Sequence, residues 1–429
     1  MDGKRLANVP IHAGSNQMTR ERTMNIKNRV AVSRGFTLVE LMIAMVIGLI
    51  ISIGVVQIFG SNRATYQLDE SLARAQENGR FALEFLTQDV RHAGNLGCKR
   101  DAPHPGESAD GRSPFSYLVG SAGTYNIYGI TGLEYPNTGI GQTYGAIANP
   151  TNATTGWLAP TGGAPAFTAL VPPGGALPGS DVIAIQRLAP NPWPLRAPYV
   201  SRTQVFVPPA FTSSILVGDI LMLTSCVESP ALFQVTGIDN AGVIDHVAGS
   251  GTPGNACPSW IDQIGAAPAA AGIAAAANCT LKFGKLLGTD LALGKLQTIV
   301  FYVANDPLNQ NRPTLYRNVT DVTGLPNAQP LVEGVESLQV LYGVDDGVNI
   351  DGIADRYVTA NSMGIANLPS VVSARISLLV HGTNASGSAN DAAIDQDTYN
   401  LAGTTFDPPN DRLKRRVFST TIQLRNRGL

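Results

Sequence analysis

The sequence is poor in charged residues, cysteine and histidine, and each shortage excludes a class of protein. Only 14% of the 429 residues are charged, and 30 Lys and Arg nearly balance 32 Asp and Glu. That balance excludes a basic protein built to coat nucleic acid. Four cysteines are too few for a disulfide-dense scaffold, and their spacing matches no zinc motif. The five histidines are scattered and accompany no P-loop or Ser/His/Asp motif, so nothing in the sequence argues for an enzyme.

The few charges are unevenly distributed along the chain. Residues 1–35 contain seven basic and two acidic side chains, a net charge of +5, whereas the remaining residues contain 23 basic and 30 acidic ones. A basic amino terminus before a long apolar stretch stays on the cytoplasmic side of a membrane. The charge pattern therefore predicts a membrane-anchored chain with a cytoplasmic amino terminus and a body on the far side.

An apolar segment follows the basic stretch. Residues 36–59 carry a single charge, Glu40. At about 1.5 Å per helical residue the segment spans roughly 36 Å, which is enough to cross a bilayer with some tilt. A cleavable secretory signal has its small-residue cleavage site after the apolar core, whereas here such a site, Arg34-Gly35, lies before it. Processing at that site would leave the apolar segment on the mature protein.

The carboxylate of Glu40 requires an explanation, because a charge within an apolar span costs a few kcal/mol. One interpretation places Glu40 near the interface, where its side chain reaches the headgroups. The other supplies a cation: cleavage after Gly35 would expose an α-ammonium on Phe36, which a neighbouring subunit could present to Glu40. We favour this second interpretation, since the pairing would offset the burial of both charges and set the axial register between subunits.

Residues 34–41, with the sequence RGFTLVEL, resemble the class III signal of type IV prepilins. That signal combines a basic leader ending in Gly, a Phe, an apolar run, and a Glu at the fifth mature position. The resemblance implies that a membrane aspartyl peptidase cuts between Gly35 and Phe36 and that the new amino group of Phe36 is methylated. The leader is longer than those of the family, and Met18 or Met24 is an alternative start.

Helical periodicity continues beyond the apolar segment, and no proline interrupts residues 36–93. We expect one helix from Phe36 to about Ala93, with a membrane half over residues 36–59 and an amphipathic half over residues 60–94. An apolar stripe at heptad-like spacing is expected to dock on the protein's own body. The stripe comprises Leu68, Leu72, Ala75, Gly79, Ala82 and Leu86.

The body, residues 95–429, contains short runs typical of β-strands. Alternating apolar residues in the range 372–380 predict a strand with one buried face. A long helix followed by strands predicts an α+β fold in which the helix packs on an antiparallel sheet. Residues 101–180 are rich in Gly, Pro, Ser and Asn and are predicted to be loop-rich, and the alanine-rich range 262–278 is predicted to be an insertion.

All four cysteines follow the apolar segment, on the side predicted to be periplasmic. An even count in an oxidising compartment predicts two disulfides with three possible pairings. We favour Cys257 with Cys279 and Cys98 with Cys226, and buried free thiols are the alternative.

A loop rich in acidic residues follows the predicted strand at residues 338–342. It contains Asp346, Asn349, Asp351 and Asp355 around a glycine, as calcium loops do, although one ligand position of such a loop is missing. A polar hairpin turn is the alternative. No other cofactor is expected.

Three segments also resemble the minor pilins called PilW: residues 75–94 with Cys98, residues 333–343, and residues 415–427. The resemblance implies a pilin-like fold with large insertions and a function in type IV pilus biogenesis, with consequences for twitching motility and adhesion. It also implies that the partners are other minor and major pilins, a prepilin peptidase and methyltransferase, a tip adhesin and the inner membrane. A body of about 335 residues would crowd a uniform filament, which favours a low-copy subunit that primes assembly or lies at the tip.

Two other functions stay open. A minor pseudopilin of a type II secretion system shares the leader and Glu40. A ligand-binding module on a pilin stalk, specific for DNA or a surface, would use the middle of the chain or the basic carboxyl terminus. We expect those basic residues to face solvent or acidic neighbouring subunits and do not expect nucleic acid binding. They are Lys414, Arg415, Arg416, Arg425 and Arg427.

Overall fold

The structure is a computed structural model, and the chain divides into two units, Met1–Gly60 and Ser61–Leu429. The leader, the alanine-rich range 262–278 and most of residues 98–128 lie outside the described residues. The described ranges are 35–97, 115–116, 129–146, 148–161, 170–171, 173–200, 204–224, 226, 231–247, 254–255, 291–320, 327–347, 349, 351–382 and 395–426.

One helix, α1 (Leu38–Arg91), contains 54 residues. Its length is about 81 Å at the usual rise per residue. Arg91 lies in the last turn, where a positive charge complements the partial negative charge of the helix terminus. Gly94 ends the segment in the left-handed region at φ 70°, a conformation that glycine adopts without a Cβ clash. The helix termini therefore agree with local sequence signals.

In the described part of the body the regular elements are β-strands and three 3-10 helices, Pro209–Ser214, Ala360–Ser362 and Ile365–Ser370. In chain order the strands are β1 (Phe115–Ser116), β2 (Ile130–Leu133), β3 (Thr143–Gly145), β4 (Val182–Leu188), β5 (Trp193–Pro194), β6 (Gln204–Phe206), β7 (Ile220–Thr224), β8 (Ala231–Gln234), β9 (Gly237–Ile238), β10 (Val243–Asp245), β11 (Ala292–Asp306), β12 (Arg312–Thr320), β13 (Asn327–Glu333), β14 (Val335–Val344), β15 (Arg356–Val358), β16 (Val371–His381), β17 (Tyr399–Leu401), β18 (Thr404–Asp407) and β19 (Arg415–Gln423).

Two sheets carry most of the body. The larger has nine strands, ordered β1-β8-β7-β11-β12-β13, with β4 and β5 also paired to β11 and β2 paired to β4. The second has four strands in the order β15-β14-β16-β19, and two further sheets have three strands each. The strand pairs among the described residues are antiparallel except β1 with β8 and β18 with β3. The predicted α+β fold is confirmed, although the strands form several sheets where we expected one.

The second half of α1 packs on the body through the predicted apolar stripe. Ala75, Ala82 and Leu86 are fully buried in the main core cluster with residues from both large sheets. A Cβ on Gly79 would lie 2.4 Å from the ring of Phe418 on β19, so only glycine permits this approach of helix and sheet. The helix is further attached by the side-chain amide of Asn78, which donates to the carbonyl of Glu333 at 3.0 Å.

The expectation of one buried face for residues 372–380 is wrong, because β16 is covered on both faces. Ser373 and Ser377 are buried although they alternate with apolar residues. Tyr357 covers this second face: its ring centroid lies 4.0 Å from Cζ of Arg375, and its hydroxyl lies 3.3 Å from Oγ of Ser373. Ser377 instead bonds its hydroxyl to that of Ser419 at 2.8 Å.

Candidate functional site

The predicted processing segment lies immediately before α1. Gly35, Phe36 and Thr37 precede the first helical residue. Thr37 caps the helix, since its Oγ1 accepts a hydrogen bond from the amide of Glu40 at 3.2 Å. Glu40 lies in the first turn, where the partial positive charge of the helix terminus favours a carboxylate. The Thr-x-x-Glu spacing is that of a capping box, and the hydrogen bond to Thr37 forms its hydroxyl half.

The first part of α1 is long and apolar enough to cross a membrane, and it is the one such helix in the part of the chain that the structure describes. Its large side chains are exposed around the whole circumference, as at Met45, Ile50 and Ile58. Glu40 is the single charge in residues 36–59. The helix therefore presents an apolar surface with one acidic group near its amino end.

A buried ion-pair cluster attaches the carboxyl end of α1 to the nine-stranded sheet. The carboxylate of Asp89 lies 2.7 Å from Nε of Arg317 on β12 and 3.3 Å from Nη1 of Arg187 on β4. The Asp89 side chain is 8% exposed, and the two arginines are 22% and 17% exposed. One carboxylate thus holds two strands against the helix.

Of the basic residues at the carboxyl terminus, Arg415 differs from the expectation that they face solvent or other subunits. The guanidinium of Arg415 is buried and contacts three carboxylates of its own body, those of Glu336 at 2.7 Å, Asp411 at 2.7 Å and Asp395 at 3.2 Å. Arg415 is therefore unavailable to phosphates. Arg416 and Arg425 are exposed, Lys414 is half-buried, and Arg427 lies outside the described residues.

The predicted disulfides fall largely outside the described residues. Cys226 is disulfide-bonded, whereas Cys98, Cys257 and Cys279 belong to the ranges that are not described. The pairings stay predictions.

The predicted calcium ligands are arranged around a turn. Asp346 pairs with Arg356, while a carboxylate oxygen of Asp355 accepts the amides of Asp346 and Gly347 at 3.1 and 2.8 Å. Asp351 accepts the amide of Ile353 at 2.9 Å, and Asn349 is exposed. Among the residues that the structure describes, no three acidic, histidine or cysteine side chains converge as metal ligands. Calcium binding stays a prediction.

A pair of buried carboxylates, which the sequence analysis missed, lies between the two large sheets. Glu134 follows β2 and Asp181 precedes β4, and each is 2% exposed. Thr138 lies between them, with Oγ1 at 3.3 Å from Oε1 of Glu134 and 3.5 Å from Oδ1 of Asp181. Burial raises the pKa of Glu134 to about 7, and burial together with the charge of Glu134 raises the pKa of Asp181. In the sequence, each of these two acids stands beside an apolar run, and this position is a signal of burial. The signal does not show that Glu134 and Asp181 meet in the folded chain.

Two family models match the chain. Residues 31–56 match the prokaryotic N-terminal methylation motif, and residues 300–426 match type IV pilus-assembly protein W, PilW. These two matches support a PilW-like type IV minor pilin. The predicted function in pilus assembly is thereby confirmed. Neither match covers residues 57–299 of the chain.

Similarity to individual proteins is weaker than the matches to the family models. No curated protein matches the pilin. Among solved structures, a type IV-like pilin, TTHA1219 from Thermus thermophilus, is similar at 20% identity, covering 32% of this chain and 69% of that chain, with a TM-score of 0.20.

Proposed function

We propose that residues 36–59 anchor this pilin in the bacterial inner membrane, with the amino terminus in the cytoplasm and the body in the periplasm. The observation that supports this is an exposed apolar helix segment directly after a cleavage motif and a basic leader. Cleavage between Gly35 and Phe36 and methylation of Phe36 would release the chain for assembly through its helix.

In the assembled pilus, Glu40 pairs with the amino group of Phe36 on a neighbouring subunit. The structure of the single chain supports this through three features of Glu40: it is the only charge in the apolar segment, it is exposed, and it lies one turn from the start of the helix. An ammonium supplied by the neighbour would neutralise the carboxylate within the packed helices. The pairing also favours one axial offset between adjacent helices.

The size of the body supports a low-copy position. About 335 residues follow Gly94, and so large a body would hinder uniform helical packing of identical subunits. We therefore place the pilin among other minor pilins at the start or tip of the pilus, beside an adhesin, with effects on twitching motility and adhesion. Loss of surface pili in a deletion strain would support a role in the pilus, whereas intact pili with lost protein secretion would indicate a pseudopilin.

Amino-terminal mass spectrometry of the native protein tests the processing step. We expect the mature chain to begin at a methylated Phe36. A mature chain that begins at any other residue, or that carries an unmodified amino terminus, contradicts the proposal.

Substitution of Glu40 tests the register step. We expect Glu40→Ala to insert in the membrane normally and to abolish incorporation into pili, because the neighbouring ammonium loses its counter-charge. Membrane fractionation and pilus counts measure the two effects. Glu84→Ala, which removes an exposed acid from the second half of the same helix, is the matched control. Normal pilus numbers in Glu40→Ala would refute the register role.

A further inference from the structure

The buried carboxylates Glu134 and Asp181 lie at a junction of the body, and both are outside the two ranges that match family models. Asp181 connects the sheets directly: its amide donates to the carbonyl of Leu338 at 2.7 Å, and its Oδ2 accepts the amide of Val340 at 3.0 Å. Both partners are on β14 of the four-stranded sheet, whereas Glu134 and Asp181 flank β2 and β4 of the nine-stranded sheet. The charge state of this pair therefore bears on the contact between the sheets.

The hydrogen-bond donors around the pair are too few for two negative charges. Asp181 accepts two backbone amides, from Tyr135 and Val340. The hydroxyl of Thr138 has one hydrogen, and its closest acceptor is the carbonyl of Tyr135 at 2.6 Å. Oε2 of Glu134 is buried without a hydrogen-bond partner among the described residues. Glu134 also accepts a hydrogen bond from the backbone amide of Ala360, so its carboxylate is compensated only in part.

The groups that face the pair carry no positive charge. Tyr342 on β14 places a buried hydroxyl beside the two acids, and that hydroxyl has no hydrogen-bond partner among the described residues. Tyr135 follows Glu134 in the chain, and both residues line a cavity of about 470 Å³ together with Tyr357. Within the described parts of the chain, no Arg, Lys or His lies at ion-pair distance from either carboxylate.

Two adjacent buried carboxylates without a cation cannot both be ionised at low cost, because each disfavours the charge of the other and burial disfavours both. We propose that Glu134 and Asp181 share one proton and that this proton stabilises the contact between the nine-stranded and four-stranded sheets. Loss of the proton leaves two negative charges at the junction, so the body becomes less stable as the surrounding medium becomes alkaline.

The direction of the pH effect follows from Glu134. Its pKa in the folded body, about 7, lies above the ordinary value of 4.5. The folded state therefore binds the proton more tightly than the unfolded state, and the stabilisation is complete below pH 4.5. It decreases as the pH rises and is lost above about pH 7.

The test compares the full chain with Glu134→Gln, which keeps the shape of the protonated acid, by urea unfolding in detergent at pH 5 and pH 8.5. Trp157 is a local fluorescent probe, because its indole donates to the carbonyl of Ser180 at 2.8 Å and its ring contacts Tyr135. We expect the ratio of the unfolding equilibrium constants, wild type over variant, to rise on the order of 100-fold between the two pH values. A constant ratio overturns the proposal.

A ratio is needed because other groups titrate in the same range. Burial lowers the pKa of His246 to about 4, so that residue destabilises the body as the pH falls. This effect is common to both variants and cancels in the ratio. Glu84→Gln, an exposed acid, is the matched control and should leave the pH dependence of the wild type unchanged.

A second measurement decides the question if Glu134→Gln does not fold. Infrared difference spectra of the wild-type chain should show a protonated carboxyl band that disappears with a midpoint near pH 7. Absence of a carboxyl band that titrates above pH 6 overturns the proposal. A stability that follows added sodium or calcium at constant pH, without following pH, also overturns it, since the counter-charge would then be a metal cation.

Discussion

From Leu38 to Gly60, α1 carries large apolar side chains around its whole circumference, whereas from Ser61 to Arg91 it carries an apolar stripe on one face and charges on the other. The large apolar side chains of the first part are exposed, while Ala75, Ala82 and Leu86 in the second part are fully buried. Lipid accepts any apolar side chain of suitable length, but a folded body accepts only shapes that fit. Hydropathy therefore decides which residues are accepted in the first part of the helix, and the shape of the packed surface decides it in the second part.

The largest expected loss of body stability is at Asp89, where the second part of the helix is attached by charge. Asp89→Ala leaves the partly buried guanidiniums of Arg187 and Arg317 without their shared carboxylate. We expect the free energy of unfolding to fall by about 2–4 kcal/mol, somewhat below the value for fully buried pairs because both arginines are partly exposed. Urea unfolding of the full chain in detergent measures the change. An unchanged midpoint would mean that packing alone attaches the helix.

A smaller effect is expected from one methyl group on Gly79. Its Cβ would lie 2.4 Å from the ring of Phe418, so helix and sheet must separate or the ring must move. We expect Gly79→Ala to lower the free energy of unfolding by about 1–2 kcal/mol, after allowance for the better helix propensity of alanine. Gly54→Ala in the first part of the helix is the matched control, since nothing lies within 4 Å of its Cβ position. Equal unfolding midpoints of the two variants would contradict the view that packing restricts side-chain size only in the second part of the helix.

The smallest effect is expected on the solvent face of the second part. Glu70 and Arg74 form an ion pair at 2.7 Å, with side chains that are 53% and 51% exposed. Water and salt screen such a pair, so Glu70→Ala should change the free energy of unfolding by about 0.5 kcal/mol or less. A loss above about 1 kcal/mol by urea unfolding would show that this face is covered in the folded chain.

The sequence predicted those elements whose signals are local. Three kinds of element are found near the predicted positions: the helix, its apolar stripe, and the strands around residues 338–342 and 372–380. They were predictable because periodicity depends only on residues a few places apart. The burial of β16 on both faces was not predictable, since Tyr357 comes from another strand. The burial of Arg415 was also missed, because Glu336 lies 79 residues away in the chain.

By itself the sequence determined the apolar helix, the cleavage motif and the position of Glu40, since hydropathy, capping and motif spacing are properties of neighbouring residues. Tertiary structure alone decided which charges are buried and with what partners. Asp89 and Arg317 are 228 residues apart, and Glu134 and Asp181 are brought together only when their strands pair and meet β14. The energy of a buried charge depends on everything that surrounds it in space, and folding brings most of those groups from distant parts of the chain.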